Sequence, residues 1–507
     1  MGCADALPRG AGGEPHVTLR DVLAALDWIR PRRLLAGARG LFKGPEELNL
    51  TEGSIGWPLF YLSLPIVITN LLQTAYNLAD TFWLGQYSTE ALAAISFAFP
   101  MVFLLISFGI GLTVAGSVLV AQHTGAGEPR EAEYAASQTM AFAVVVSVVL
   151  GAAGYVLVDD ALGLLGAGPD ILPLAARYMQ VVSLGLFALF GFLVFVSLMR
   201  GYGDTVTPMI VMLGTVVLNI VVDPLLIFGV GPFPEWGVTG AAIATVFSRG
   251  LATVVGLAIM FRGQRGVTIN LEDVRPDLGY LRTLVRVGGP ASVEVTGRAL
   301  SVNLLLIIVA TFANPVVAAF GVGIRVFSVI FLPAIAVGRG VETLTGQNIG
   351  AGNPDRAART NDFAAVVMFV LLSTAAVVVY FTAPGIVSVF TDDPAVIPVG
   401  AEFLRTVAPT FGFLGVVRAY SGGFRGAGRT LTAAAIAIFT QGVIRLPVAW
   451  FGAQWFGTRG FFTAFVVSNV VGAAIALAWF RQGTWRDADL TDDPTVTAAE
   501  DRPDAGD

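Results

Sequence analysis

The sequence predicts an all-α integral membrane protein: twelve transmembrane helices in two six-helix lobes related by a pseudo-twofold axis. Three observations carry this. The 507-residue chain is 55% hydrophobic and 13% charged, where soluble domains carry about 25% charged residues. About twelve apolar segments follow one another, each near the roughly 20 residues that a bilayer span needs. The chain also repeats itself at a constant offset of 225 positions. Pro65 recurs as Pro290, Ala93-Ala94 as Ala318-Ala319, and Pro173 as Pro398. The loop Gln122-His-Thr-Gly-Ala-Gly-Glu-Pro129 recurs as Gln347-Asn-Ile-Gly-Ala-Gly-Asn-Pro354, and Arg200-Gly-Tyr-Gly-Asp-Thr205 as Arg425-Gly-Ala-Gly-Arg-Thr430.

Each apolar segment is read as a helix, because lipid leaves the unpaired backbone of an open sheet unsatisfied. The runs are far longer than the strands of about 10 residues that build a membrane barrel. The first half holds spans near 58–84, 91–121, 134–158, 174–199, 206–230 and 236–261. The second half holds spans near 283–312, 315–345, 360–383, 397–421, 431–453 and 460–480. The expected organisation is an N-terminal segment 1–54, a first lobe 55–261, a linker 262–282, a second lobe 283–481 and an acidic, disordered tail 482–507. Within the N-terminal segment, residues 20–43 read either as a basic amphipathic helix on the inner leaflet or as a poorly ordered terminus. Cys3 is the one cysteine, so no disulfide framework is expected.

Charge sets the orientation. Arg30, Arg32, Arg33, Arg39 and Lys43, then Arg130, Arg200, Arg262, Arg265, Arg275 and Arg282, then Arg356, Arg359, Arg425, Arg429 and Arg481 all fall on one side. The opposite loops (85–90, 159–173, 231–235, 384–396 and 454–458) carry no Lys or Arg. By the positive-inside rule both termini are cytoplasmic, in a multi-pass protein of the cell membrane. Six helices per half give the halves the same orientation, and such repeats are a common ground plan of secondary transporters.

Polar residues inside spans are costly and by default mark ion or substrate pathways. In span one, Asn70, Gln73, Asn77 and Asp80 share one helical face. In span five, Thr215, Asn219 and Asp223 form a stripe at i, i+4 and i+8. Span six offers Thr239, Thr245 and Ser248 beside small Gly240 and Ala241. Asp80, Asp223 and Thr245 all fall in the outer half of the bilayer by the rise of about 1.5 Å per residue. Two carboxylates, an amide oxygen and a hydroxyl suit an alkali cation such as Na⁺; the same pair could instead take up protons. Asp80 could also simply cap a helix end, and Asn219 with Asp223 could be interhelical glue. Pro224 could free a backbone carbonyl for a cation or be an ordinary kink.

The second half lacks these acids: Asp80 maps to Leu305, and Asn219 and Asp223 map to about Ile444 and Val448. It has its own charges, Glu294 with Arg298 at i, i+4 and Arg339 with Glu342 at i, i+3, joined by Arg325, Arg418 and Arg445. These spacings allow intrahelical pairs, and a role in substrate contact or lobe coupling stays open beside that.

Other chemistries find no support. The Gly-Ala-Gly loops lack the Gly-Lys-Ser/Thr ending of a phosphate-binding loop and read as a helix stop and restart with Gly at the C′ position. Arg-Gly-x-Gly reads as a tight turn carrying an inside charge. His16 and His123 have no metal-ligating partners in pattern. No nucleophile elbow or HExxH appears, so an enzyme is not expected, and no soluble segment is long enough for a nucleotide-binding domain.

The chain resembles the multidrug and toxic compound extrusion (MATE) family, its archaeal branch in particular, over roughly residues 55 to 480. The resemblance rests on Gln73-Thr-Ala-Tyr-Asn-Leu-Ala-Asp80, Asn219-Ile-Val-Val-Asp-Pro224, Gly237-Val-Thr-Gly-Ala-Ala-Ile-Ala-Thr245 and the paired loops. It implies two six-helix lobes in a V, working by alternating access as a Na⁺- or H⁺-coupled antiporter that exports bulky, often cationic or amphipathic compounds. It implies that Asp80, Asn219, Asp223, Thr245 and the Ala241 carbonyl form a first-lobe cation or proton site. Gln73 and Asn77 match residues facing the same cavity, and Asn70 and Thr215 lie on the same stripes. Pro65 matches the proline of a bendable first helix. The second-lobe carboxylates of another branch are not matched, so that role is not carried to Glu294. The expected partners are small organic substrates and membrane lipid, with no nucleic acid, no cofactor beyond the coupling ion, and a monomeric state. The runner-up is a flippase for a lipid-linked oligosaccharide.

Overall fold

A computed structural model describes residues 49–263 and 266–491 of the chain. The expected amphipathic helix at 20–43 lies outside the described residues. Among them all regular structure is helical. The first half comprises α1 (Gly56–Tyr87), α2 (Thr89–Ala126), α3 (Pro129–Leu164), α4 (Leu172–Leu184), α5 (Leu186–Tyr202), α6 (Val206–Ile227) and α7 (Val238–Arg262). The second comprises α8 (Leu278–Val309), α9 (Asn314–Ile330), α10 (Leu332–Gly350), α11 (Pro354–Ser388), α12 (Val396–Val407), α13 (Phe411–Gly426), α14 (Thr430–Ile438) and α15 (Leu446–Arg481).

Eight helical segments are long and apolar enough to cross a membrane, and ten when two bent pairs each count as one span. The pairs are α4 with α5, bent by 55°, and α9 with α10, bent by 42°. Two further features complete the twelve. The segment Thr430–Arg481 runs for 52 residues, about 78 Å as one helix, more than two hydrocarbon thicknesses. Gly457, at φ 61° and ψ −141°, breaks it into two spans. A short 3-10 turn, Ala408–Thr410, joins α12 to α13 as the tenth span. The periodicity reading did not foresee the breaks inside spans four and eight. Gly185 and the Phe331-Leu332-Pro333 step interrupt runs that hydropathy alone leaves continuous.

The halves meet along α1, α2, α8 and α10. Helix α2 packs against both α8 and α10, and α1 packs against α10. The pseudo-twofold therefore passes beside α2 and α10, and glycines let their backbones touch. A Cβ on Gly125 would sit 2.6 Å from the Gln347 Cα, and one on Gly350 would sit 2.9 Å from the Gln122 Cα. The side chains then cross over: Gln122 Nε2 donates to the Gly426 carbonyl at 3.0 Å, and Gln347 Nε2 donates to the Gly201 and Tyr202 carbonyls at 3.1 and 3.0 Å. These are the same contacts carried through the repeat, and they close the end of the molecule that bears the Gly-Ala-Gly loops. The two glycines of each loop thus divide their work. Gly125 and Gly350 permit the crossing, while Gly127 (φ 76°) and Gly352 (φ 68°) stop the helices in the left-handed region.

Flanking segments reinforce this end. The linker after α7 lies on α3, where Gln138 Nε2 donates to the Asp273 and Arg275 carbonyls and Arg130 pairs with Asp273. Residues 482–491, expected to be disordered, instead pack. Trp485 is buried, stacking on Phe480 at 4.5 Å between centroids, and the Leu490 amide donates to Gln122 Oε1 at 2.8 Å. One buried indole outweighs the polar composition that suggested disorder.

Candidate functional site

The polar stripes of α1, α6 and α7 converge. Helix α6 packs against both α1 and α7. Gly240 has no Cβ to strike the Leu226 carbonyl, so α7 lies directly on α6. The Trp236 and Gly237 amides donate back to the Leu226 and Ile227 carbonyls, each at 3.1 Å, and lock the turn between them. Helix α6 ends at Ile227, three residues before the expected limit, because Gly229 and Gly231 take positive φ. Asp223 therefore lies one turn from the helix end rather than two. Pro224 sits inside α6 and leaves the Ile220 carbonyl without its usual helical donor.

In this wedge Asp80 and Thr245 are buried, and Asn219 and Asp223 are wholly so. Asp223, Asn219 and Thr245 surround the Asp80 carboxyl, and none of them forms a hydrogen bond with it. Asn219 Nδ2 donates to Asp223 Oδ1 at 2.9 Å. What remains is a set of oxygens: Asp80 Oδ1, Asn219 Oδ1, Asp223 Oδ2 and Thr245 Oγ1 are buried and have no hydrogen-bond partner. Tyr76 Oη and Ser248 Oγ, beside them, are in the same condition. Burying a polar atom without a partner costs about 1–3 kcal/mol. Four converging acceptor oxygens fit an alkali cation or shared protons, the donor chemistry of a hard-ion site. Ala241 is buried one turn before Thr245.

Arg249, with Tyr76 and Phe192 around it, completes the site, and none of the three carries a role in the sequence reading. Arg249, buried in α7, lies between the rings of Tyr76 and Phe192, with its Cζ 4.6 and 4.9 Å from their centroids. Its Nη2 donates to Gln73 Oε1 at 2.6 Å, and its charge acts on Asp80. Two carboxylates and one guanidinium leave one net negative charge, which a single monovalent cation or proton neutralises. Arg249 follows Thr245 at i, i+4, so the spacing used for Asn219 and Asp223 would have found it.

The residues expected to line a substrate cavity are spread more widely. Gln73 Nε2 donates to Asn77 Oδ1 at 3.0 Å, and Asn77 is exposed. Asn70 Nδ2 is buried without a partner. Thr215 donates back to the Val211 carbonyl at 2.9 Å and so offers no hydroxyl proton to a ligand. None of the four lines the cavity of about 420 Å³ that opens between α2 of the first half and α8, α10 and α13 of the second.

That cavity is bordered by the second-half charges. Arg298 pairs with Glu294 at 2.8 Å and Arg339 with Glu342 at 3.0 Å, the two intrahelical spacings. Arg425 then joins them, reaching Glu294 at 3.2 Å and Glu342 at 3.0 Å. The Arg-Gly-x-Gly pattern predicts a loop charge at Arg425; the structure instead buries it in the last turn of α13, and Arg200, its repeat counterpart, acts on Glu342 from the other half. Sequence position placed both near a loop but could not give the direction of their side chains. Where the first lobe has its acids the second has Arg445. It donates to Ser468 Oγ at 2.8 Å and Asn469 Oδ1 at 2.9 Å and lies 4.7 Å from the Phe465 centroid. Leu305, the counterpart of Asp80, is core.

Comparison with known proteins agrees with this architecture. The MatE family model matches residues 65–225 and again 290–451, one match per repeat. A FAD transporter of Shewanella oneidensis is 29% identical over 426 residues, covering 83% of this chain and 94% of its own. A probable multidrug resistance protein of Bacillus subtilis is 28% identical over 442 residues, covering 86% and 97%. A solved MATE family transporter of the MOP superfamily, in an outward-facing conformation, superposes with a TM-score of 0.80 at 26% identity, covering 87% of this chain and 98% of that one. With both halves matched and the twelve-span duplicated fold in place, this chain belongs to the MatE family of multi-pass membrane transporters.

Proposed function

We propose that this protein is a Na⁺- or H⁺-coupled antiporter that exports bulky organic, amphipathic compounds across the cell membrane, with both termini cytoplasmic. The Bacillus subtilis relative is named a probable multidrug resistance protein, a Staphylococcus haemolyticus relative a multidrug export protein, and the Shewanella relative a FAD transporter. These relatives favour export over the lipid-linked oligosaccharide flippase, and a transporter over an enzyme. The archaeal-branch assignment rests on the motif residues, since the relatives named above are bacterial.

The observation that carries the coupling reading is the set of unpartnered oxygens on Asp80, Asn219, Asp223 and Thr245. An ion arriving there ties α1 to α6 and α7. Helix α1 also packs on α10 across the halves and holds Pro65 within its length. Ion occupancy can therefore bias how α1 seats against the second half, which is the differential interaction with two states that coupling requires. The closed end is the arginine-rich one, so with cytoplasmic termini this conformation faces outward.

The test is dye efflux from proteoliposomes under separately imposed sodium and pH gradients. Asp80→Asn and Asp223→Asn should each abolish ion-driven efflux while leaving the folded protein intact by size exclusion. Ion-driven efflux at the unmodified rate from both variants would remove this site from the mechanism.

A further inference from the structure

The cavity between the halves carries a charge opposite to that of the whole chain. The protein has a formal net charge of −6, yet Arg298, Arg339, Arg418 and Arg425 border this cavity together with Glu294. Counting Glu342 behind Arg425, four guanidiniums face two carboxylates, a surplus of two positive charges. Arg200 acts on Arg339 and Arg425, and Arg445 acts on Arg298, so neighbours add to the surplus.

Geometry decides which charges a ligand meets. The Glu294 and Glu342 side chains are 6% and 1% exposed, and each is shared between Arg425 and its own intrahelical arginine, so two carboxylates are spread over three guanidiniums. The Arg298 and Arg339 side chains are 28% and 24% exposed. Arg418 feels the charges of Arg298, Glu294, Arg425 and Arg339, three of them positive, and makes no hydrogen bond or ion pair among the described residues. The cavity thus presents arginine on its second-half wall. The first-half wall is apolar, built from Phe103, Ile110 and Val114 of α2. Its volume of about 420 Å³ is that of an ordinary small-molecule site.

We propose that this cavity binds an amphipathic organic anion, with an aromatic or apolar body on the α2 wall and a carboxylate, sulfonate or phosphate held by Arg418, Arg298 and Arg339. The planar guanidinium fork is the group best matched to such acids. This deepens the export reading, on which it rests, by giving the substrate its charge.

The probe pair is carboxyfluorescein and rhodamine 123, which share a xanthene core and differ in the sign of their charge. Binding is read by fluorescence anisotropy on the full chain in phosphatidylcholine nanodiscs. Carboxyfluorescein should bind at least about tenfold more tightly than rhodamine 123. Arg418→Gln should weaken the anion about tenfold, the scale of one lost charged hydrogen bond, and Arg418→Lys should restore most of that. Doping the nanodiscs with phosphatidylglycerol separates two sources of the same chemistry: displacement of the dye supports a lipid headgroup as the natural anion, and no displacement supports a soluble one. Tighter binding of rhodamine 123 by the unmodified chain would overturn the proposal, and this comparison stands even if the variants fail to fold. Ion-driven efflux is scored separately. Its failure with anion binding intact faults the export reading alone, whereas ion-driven efflux of rhodamine 123 without carboxyfluorescein binding faults this proposal alone.

Discussion

Substituting Gly125 by alanine tests the closure between the halves directly. The new Cβ would lie 2.6 Å from the Gln347 Cα and carbonyl carbon. The optimum for carbon–carbon contact is about 3.5–4.0 Å, so α2 and α10 must part by about 1 Å. Three crossing hydrogen bonds, Gln122 to Gly426 and Gln347 to Gly201 and Tyr202, now span 3.0–3.1 Å. Lengthened to about 4 Å they fall outside hydrogen-bond range. At about 1 kcal/mol each the closed end loses about 3 kcal/mol, which moves the closed-to-open ratio by about two orders of magnitude. Spin labels at Glu128 and Asn353, the repeat-related positions beyond the two glycine loops, read this as a distance distribution once Cys3 is replaced by serine. Gly125→Ala should populate a longer distance. Gly214→Ala is the control, because a Cβ there meets nothing within 4 Å. A Gly125→Ala distribution that overlays the unmodified one would show that backbone contact at this crossing does not hold the end closed.

Three further outcomes follow from the buried charges. Arg425→Met strands Glu294 and Glu342 partly unpaired, and breaking buried pairs of this kind costs about 3–5 kcal/mol. The melting temperature in detergent should fall markedly, with partial recovery on adding Glu294→Gln and Glu342→Gln. Thr245→Val removes one uncharged oxygen from the first-lobe site. If Na⁺ is the coupling ion, half-maximal efflux should need several-fold more sodium, whereas proton-driven efflux should barely change; sodium titration of efflux distinguishes the two. Arg249→Gln leaves the two carboxylates with no guanidinium beside them, so the site should hold its cation more tightly. Efflux should then saturate at lower ion concentration and at a lower maximal rate.

Composition, apolar run length and the 225-residue repeat were enough to reach a duplicated helical membrane protein, because a bilayer admits so few backbone solutions. Helical spacing was also enough to put Asp223 with Asn219 on one stripe and Asp80 on another. It could not say that these stripes face each other. Periodicity fixes which residues share a face but not the direction of that face about the helix axis, which neighbouring helices decide. For that reason Asn77 proves exposed while Asp80, three residues on, is buried. Tyr76 and Arg249 passed unnoticed for the same reason, although Arg249 stood one turn beyond Thr245.

The second-half charges make the division plainest. Their intrahelical pairs, Glu294 with Arg298 and Arg339 with Glu342, follow from i, i+4 and i, i+3 spacing alone. The role of Arg425 does not, because it joins residues 131 and 83 positions away. A sequence sums charge along the chain and finds this one acidic. Folding sums charge over a few ångströms, and there burial of two glutamates behind four arginines makes the central cavity basic. What the chain dictated by itself was its solvent, its repeat and its helices; the sign of each lobe's interior was decided by which side chains tertiary packing turned inward.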